Sequence, residues 1–237
     1  MTRRVERDGP ALRGAGLEMA AALSLLAGVA VAAAYFVAHP GPTPLDRLGS
    51  DVVPVRHNGG VLVSVTRLGS PAVLLAGAVG GGLCGLRRGR ARALALLAGP
   101  LLAAVVCDWI LKPVVGRRFE GALSFPSGTV AVVAALATVG VIVTPPVWRW
   151  ATGVVGGVVT AALILSVVTL RWHYPTDALV GLVTGVGVVL LVDAVVRAAD
   201  GAPPGPPRPD RHTGARRHRA SGLGTGLVVG AGRSAGD

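Results

Sequence analysis

Apolar residues in this chain come in blocks of roughly 20, the length that crosses a bilayer as a helix. Stretches rich in Arg, Gly and Pro separate them. Leu17–Ala38 is the first block. Val61–Leu86 is the second, broken by Arg67, Gly69 and Pro71, so Val61–Leu68 is expected at the interface and Ser70–Leu86 across the membrane. Ala93–Leu111, Ser127–Thr144, Ala151–Leu170 and Thr176–Val196 complete six spans. The pattern predicts an all-α polytopic membrane protein, a six-transmembrane-helix bundle over residues 17–197. A short N-terminal segment, 1–16, precedes it. A Gly-, Pro-, Arg- and His-rich tail, 198–237, has too little apolar surface to form a core and is expected to be disordered. Gly41–Gly60 and Lys112–Pro126 read as polar loops.

Charge changes this picture by giving it a direction. The formal net charge is +11, with 51% hydrophobic residues. In a soluble protein that excess would suggest nucleic acid, but no basic face with interleaved aromatics occurs, so none is expected. Of the 23 basic residues, sixteen fall on one side of a six-span layout: the N-terminus, the Arg87–Arg92 turn, Arg149 and the tail. The other seven are Arg47, Arg56, Arg67, Lys112, Arg117, Arg118 and Arg171. The positive-inside rule then places both termini in the cytoplasm and the Lys112–Pro126 and Arg171–Asp177 segments outside. Arg3-Arg4 before an apolar run could open a signal peptide, but the run is long and His39-Pro40-Gly41-Pro42 offers no cleavage site, so an uncleaved anchor is expected. The Arg-rich, Lys-poor, Ala/Val/Gly-rich composition suggests a bacterial plasma membrane. Cys84 and Cys107 lie in apolar runs near opposite faces, so neither a disulfide nor a metal site is expected.

Two outer segments carry candidate chemistry. In Arg171-Trp172-His173-Tyr174-Pro175-Thr176-Asp177, Pro175 suits the first turn of a helix, Asp177 falls in that turn, and His173 lies just outside it. On these residues alone, a capped helix with an interfacial histidine is an equal reading. Lys112 is the single lysine and is followed by Gly116-Arg117-Arg118. Three cations on the side that the rule leaves poor in charge suggest a bound anion. Ser127-Gly128 then opens a helix whose free N–H groups form a ready phosphate site, or Ser127 merely caps that helix. Asp108 and Lys112, four apart, could form a simple ion pair.

In this order and spacing the segments resemble the type 2 phosphatidate phosphatase family, the membrane relatives of vanadium haloperoxidases. Its pattern is Lys-x6-Arg-Pro, then Pro-Ser-Gly-His, then Ser-Arg-x5-His-x3-Asp. Lys112, Gly116 and Arg117 look like the first motif, Pro126-Ser127-Gly128 like the second, and Ser166, His173 and Asp177 fit the third. The resemblance implies that His173 attacks phosphorus, that Asp177 orients the imidazole, and that Lys112, Arg117, Ser127 and Gly128 bind the phosphoryl oxygens, with no metal or other cofactor. It also exposes departures. Thr129 stands where the pattern has its acid histidine, Val167 where it has arginine, and Phe119-Glu120 where it has Arg-Pro. Arg118 and Arg171 are candidate substitutes.

The expected activity is hydrolysis of a lipid-linked phosphate or diphosphate through a phosphohistidine, with the bilayer and a lipid phosphate as partners and no protein partner indicated. Without the acid, a polyprenyl diphosphate such as undecaprenyl diphosphate should be favoured over phosphatidate. The alternative is a non-catalytic lipid-phosphate binder that has lost the acid and an arginine.

Overall fold

The computed structural model describes residues 2–53 and 60–200, with side chains from Gly14 onward. The expected tail beyond Asp200, and 54–59 of the first loop, lie outside the described residues. Helix α1 spans Thr2–Ala38, α4 Pro71–Gly85, α5 Arg90–Val105, α7 Gly128–Val143, α8 Arg149–Thr169 and α9 Pro175–Asp200. These six rods form an all-α membrane fold. Among the described residues, four helices are long and apolar enough to cross a bilayer: Gly14–Ala38, Arg90–Val115, Pro146–Thr169 and Pro175–Asp200. A fifth span results if Gly60–Gly69 and Pro71–Arg88, bent by 44°, count as one. The bend falls at Ser70-Pro71, where the Ser70 side chain caps α4 and the proline cannot continue the preceding hydrogen bonds.

Helix α7 is the short rod at the centre of the bundle. Its 16 residues span about 24 Å at 1.5 Å per residue, less than the hydrocarbon core. It packs against α5, α8 and α9, and Ser124 through Gly128 at its start are all buried. Leu96, Ala103, Ala135, Val139, Val188 and Val189 knit α5, α7 and α9 together. Val130, Val133, Leu163, Val167, Val168 and Ala178 do the same for α7, α8 and α9. Close approach of α7 and α9 depends on glycine. An added Cβ at Gly181 would overlap the Ser127 carbonyl, and one at Gly185 the Ala131 carbonyl. This small-xxx-small spacing lets two backbones touch. A Gly185→Val variant is expected to lose about 1–3 kcal/mol, the usual cost of overpacking, read as a lower melting temperature in detergent.

Several connections are more ordered than loops. Pro44–Val52 forms α2, opened by a capping box in which Thr43 and Asp46 bond each other's backbone N–H. Gly60–Thr66 forms α3, which packs against α8. After α5 the helix widens into a π turn over Val106–Leu111 and closes with α6, Lys112–Val115, which Gly116 ends in a left-handed conformation (φ 65°). The expected polar loop then contains an antiparallel hairpin, β1 Arg118–Phe119 and β2 Ala122–Leu123.

The two ends of the bundle differ in charge. Arg92 bonds Asp193 at 3.0 Å, Arg197 bonds Asp193 and Glu18, and Arg88 donates to the Ile142 carbonyl at the arginine-rich end. Lys112, the hairpin and His173 share the other end, since His173 bonds Ser124 across it. Trp109 and Trp172 are exposed at that end, Trp148 and Trp150 at the opposite one, as interfacial anchors would be.

Candidate active site

Helix α9 begins with Pro175 in its first turn, and its free N–H groups are capped from two directions. Asp177 accepts the Tyr174 N–H at 3.2 Å, the reciprocal half of a capping box. Asp46, reaching over from α2, accepts the Thr176 N–H at 3.0 Å and its hydroxyl at 2.8 Å. His173 is held just before this start. Its Nδ1 lies 2.7 Å from the Ser124 carbonyl oxygen. A carbonyl can only accept, so Nδ1 carries the hydrogen and Nε2 keeps its lone pair. Burial drives the imidazole pKa down to about 4; the Ser124 carbonyl opposes that shift, Lys112 adds to it and Asp108 opposes it. At neutral pH His173 is therefore an uncharged imidazole whose Nε2 keeps its lone pair.

Lys112 Nζ pairs with Asp108 Oδ1 at 2.6 Å on the π turn. The Asp108 carboxylate rests against Gly128 at the start of α7, so closely that an added Cβ there would overlap it. The Ser127 N–H donates to the Asp177 carbonyl at 3.0 Å, whereas the Ser127 Oγ is buried with no partner among the described residues. The next three N–H groups, of Gly128, Thr129 and Val130, have no acceptor within the helix. An imidazole, an ammonium and a helix N-terminus thus lie at one end of the bundle, with the buried Ser127 hydroxyl at that helix start. The helix dipole and the ammonium have the sign that attracts an anionic group such as a phosphoryl.

Other candidates sit elsewhere, and the reasons are geometric. Arg117, expected on the phosphate, is 0% exposed and uses every N–H it has. Its Nε donates to the Pro40 carbonyl (3.2 Å), one terminal nitrogen to Thr176 (2.9 Å) and Asp177 (2.5 Å), the other to the Gly41 carbonyl (3.0 Å) and Asp46 (2.7 Å). A guanidinium has five N–H groups, and five are engaged. Phe36 and Tyr174 cover its faces, their ring centres 3.9 and 4.3 Å from the guanidinium carbon. No donor remains for a ligand. Asp177, expected to orient His173, is likewise committed to Arg117 and the Tyr174 N–H, and the Ser124 carbonyl takes its place at the imidazole. Burial by itself would raise the Asp46 carboxyl, but hydrogen bonds from the Thr176 and Thr43 backbone, from Arg117 and from the Thr176 hydroxyl bring it below the usual carboxylate range.

The proposed substitutes each donate one hydrogen bond to a backbone carbonyl, and among the described residues their other N–H groups are uncommitted. Arg118 donates to the Gly121 carbonyl at 2.7 Å within the exposed hairpin. Arg171 adopts φ 59° and donates to the Ser50 carbonyl at 3.3 Å, tying α2 to the histidine segment. Val167 is fully buried between α7 and α9, so the position where the family pattern has arginine contributes only core. Thr129 packs its methyl group against Gly69.

Comparison with known proteins bears on the fold and the family. No curated protein matches the chain. A solved structure, a transmembrane PAP2-type phosphatidylglycerolphosphate phosphatase from Bacillus subtilis, superposes with a TM-score of 0.56 at 21% identity, covering 77% of this chain and 96% of that one. The model of the PAP2 superfamily matches residues 17–199, from within α1 almost to the end of α9, and the chain belongs to that superfamily.

Proposed function

We propose that the chain hydrolyses a lipid-linked phosphate or diphosphate at the outer face of the membrane, with His173 Nε2 as the nucleophile. The observation that carries this reading is the hydrogen bond from Nδ1 to the Ser124 carbonyl, which leaves Nε2 unprotonated. Nε2 attacks phosphorus in line with the leaving oxygen and forms a phosphohistidine, which water then cleaves. Lys112, the Ser127 hydroxyl and the first N–H groups of α7 stabilise the charge on the three equatorial oxygens. The outer location follows from the excess of arginine at the opposite end of the bundle. A lipid-phosphate binder with the same fold would have no use for a free Nε2, and it would yield no phosphoenzyme.

Substrate preference follows from what the site lacks. An alkoxide leaving group, with a conjugate acid near the pKa of water at ~15.7, needs a proton donor. A phosphate monoester, with a pKa of about 6, departs without one. No acid stands at Thr129, so a polyprenyl diphosphate is the better substrate. Assays of the purified protein on a panel of lipid phosphates test this. Phosphate release should be fastest from the diphosphate; equal or faster release from phosphatidate contradicts it.

The pH dependence has a definite sign. The His173 pKa is lowered, so the nucleophile stays uncharged as pH falls below 6.5 and is lost only near 4. The acid limb of kcat/KM is expected near 4, and a limb near 6.5 would show an exposed, ordinary imidazole instead.

A further inference from the structure

Cleavage of a phosphohistidine needs a base for the attacking water, and Thr129 supplies none. A carboxylate, however, stands beside that position. Asp108 projects from the π turn onto Gly128, the first residue of α7, and fills the space a side chain there would take. Thr129 is the next residue of the same turn. Asp108 also shares its Oδ1 with Lys112 Nζ, and the charges of both bear on the His173 imidazole. Its side chain is 42% exposed, so water reaches it, unlike Asp46 and Asp177, which are sealed around Arg117.

We infer that Asp108 is the proton acceptor for the dephosphorylation step, its carboxylate taking over beside Gly128 the role that Thr129 cannot fill. The inference rests on the phosphohistidine reading above. In the first step the Nε2 lone pair forms the P–N bond, and the bridging P–O bond breaks with its electrons leaving on the lipid monophosphate. In the second step the oxygen of a water molecule bonds phosphorus and the P–N pair returns to Nε2. The water proton passes to the Asp108 carboxylate and from there to solvent. Lys112, hydrogen-bonded to the same carboxylate, holds it beside the phosphoryl group and prevents the two anions from repelling each other. A surface ion pair of this kind contributes little to stability by itself, so removing the carboxylate should leave the fold intact.

The test separates the two chemical steps. Wild type and Asp108→Asn are mixed with polyprenyl diphosphate labelled at the terminal phosphate, quenched in alkali at millisecond intervals, and assayed for labelled protein and free phosphate. In Asp108→Asn, label should reach the protein within a few-fold of the wild-type rate, and its release as phosphate should slow by about 10²–10⁴-fold, so that phosphoenzyme accumulates. Formate added to Asp108→Ala should restore part of the release rate, and the more basic acetate more of it, a dependence that pairing with Lys112 alone would not give. Labelling and release slowed together, or formate without effect, would show that Asp108 only positions Lys112 and would overturn the inference. Unchanged kinetics would overturn it as well. Absence of labelled protein in the wild type would instead overturn the phosphohistidine reading itself, and this inference with it.

Discussion

Arg117→Ala is expected to destabilise the protein by about 3–5 kcal/mol, the range measured when one partner of a buried ion pair is removed. The loss falls on two carboxylates at once, because Asp46 and Asp177 are both fully buried and both depend on the guanidinium. It also opens the space between Phe36 and Tyr174 and strands the carbonyls of Pro40 and Gly41. Arg117→Lys should fare little better, since an ammonium has three donors for five acceptors and cannot fill the flat slot between two rings. Thermal unfolding in detergent measures the effect. A site in which Arg117 bound phosphate would behave differently: both variants would melt near wild type and lose only affinity for substrate.

His173→Ala should have the largest effect on activity, reducing phosphate release by at least about a thousandfold while leaving the melting temperature within a few degrees of wild type. Among the described residues the imidazole makes a single hydrogen bond, to the Ser124 carbonyl, so its removal disturbs little else. Lys112→Ala should retain a slow reaction, because losing one transition-state cation typically costs about 10²–10³. The two variants should differ in kind as well as degree: phosphoenzyme forms slowly without Lys112 and not at all without His173.

Much of the bundle is legible in the sequence because bilayer-length apolar blocks leave little choice of fold. Ser70-Pro71 marks the bend between α3 and α4, and Pro175 marks the start of α9. The gathering of His173, Lys112 and Ser127 at one end follows from counting spans, since odd and even connections alternate between faces. Helix α2 lies where the sequence reads as a polar loop, although Thr43-Pro44-Leu45-Asp46 carries a capping signature that a proline- and glycine-rich context obscures. The direction of Arg117 was not legible at all. Motif spacing places an arginine near phosphate but does not reveal a second acid 71 residues earlier that draws it inward. The pairing of Asp177 with Arg117 is hidden for the same reason: its partner comes from a distant segment. Asp108 reads as an ion pair in sequence, and only the contact with Gly128 puts it beside the reaction centre.

The proposed chemistry requires an imidazole that keeps a free lone pair at Nε2 while Nδ1 is held by a backbone carbonyl. The direct measurement is peptide mapping by mass spectrometry after alkaline quench of the wild-type protein turning over polyprenyl diphosphate. A phosphoryl group on Nε2 of His173, labile in acid and stable in base, is the result the account predicts. Steady release of phosphate with no modified histidine, or with the group on another residue, would contradict it.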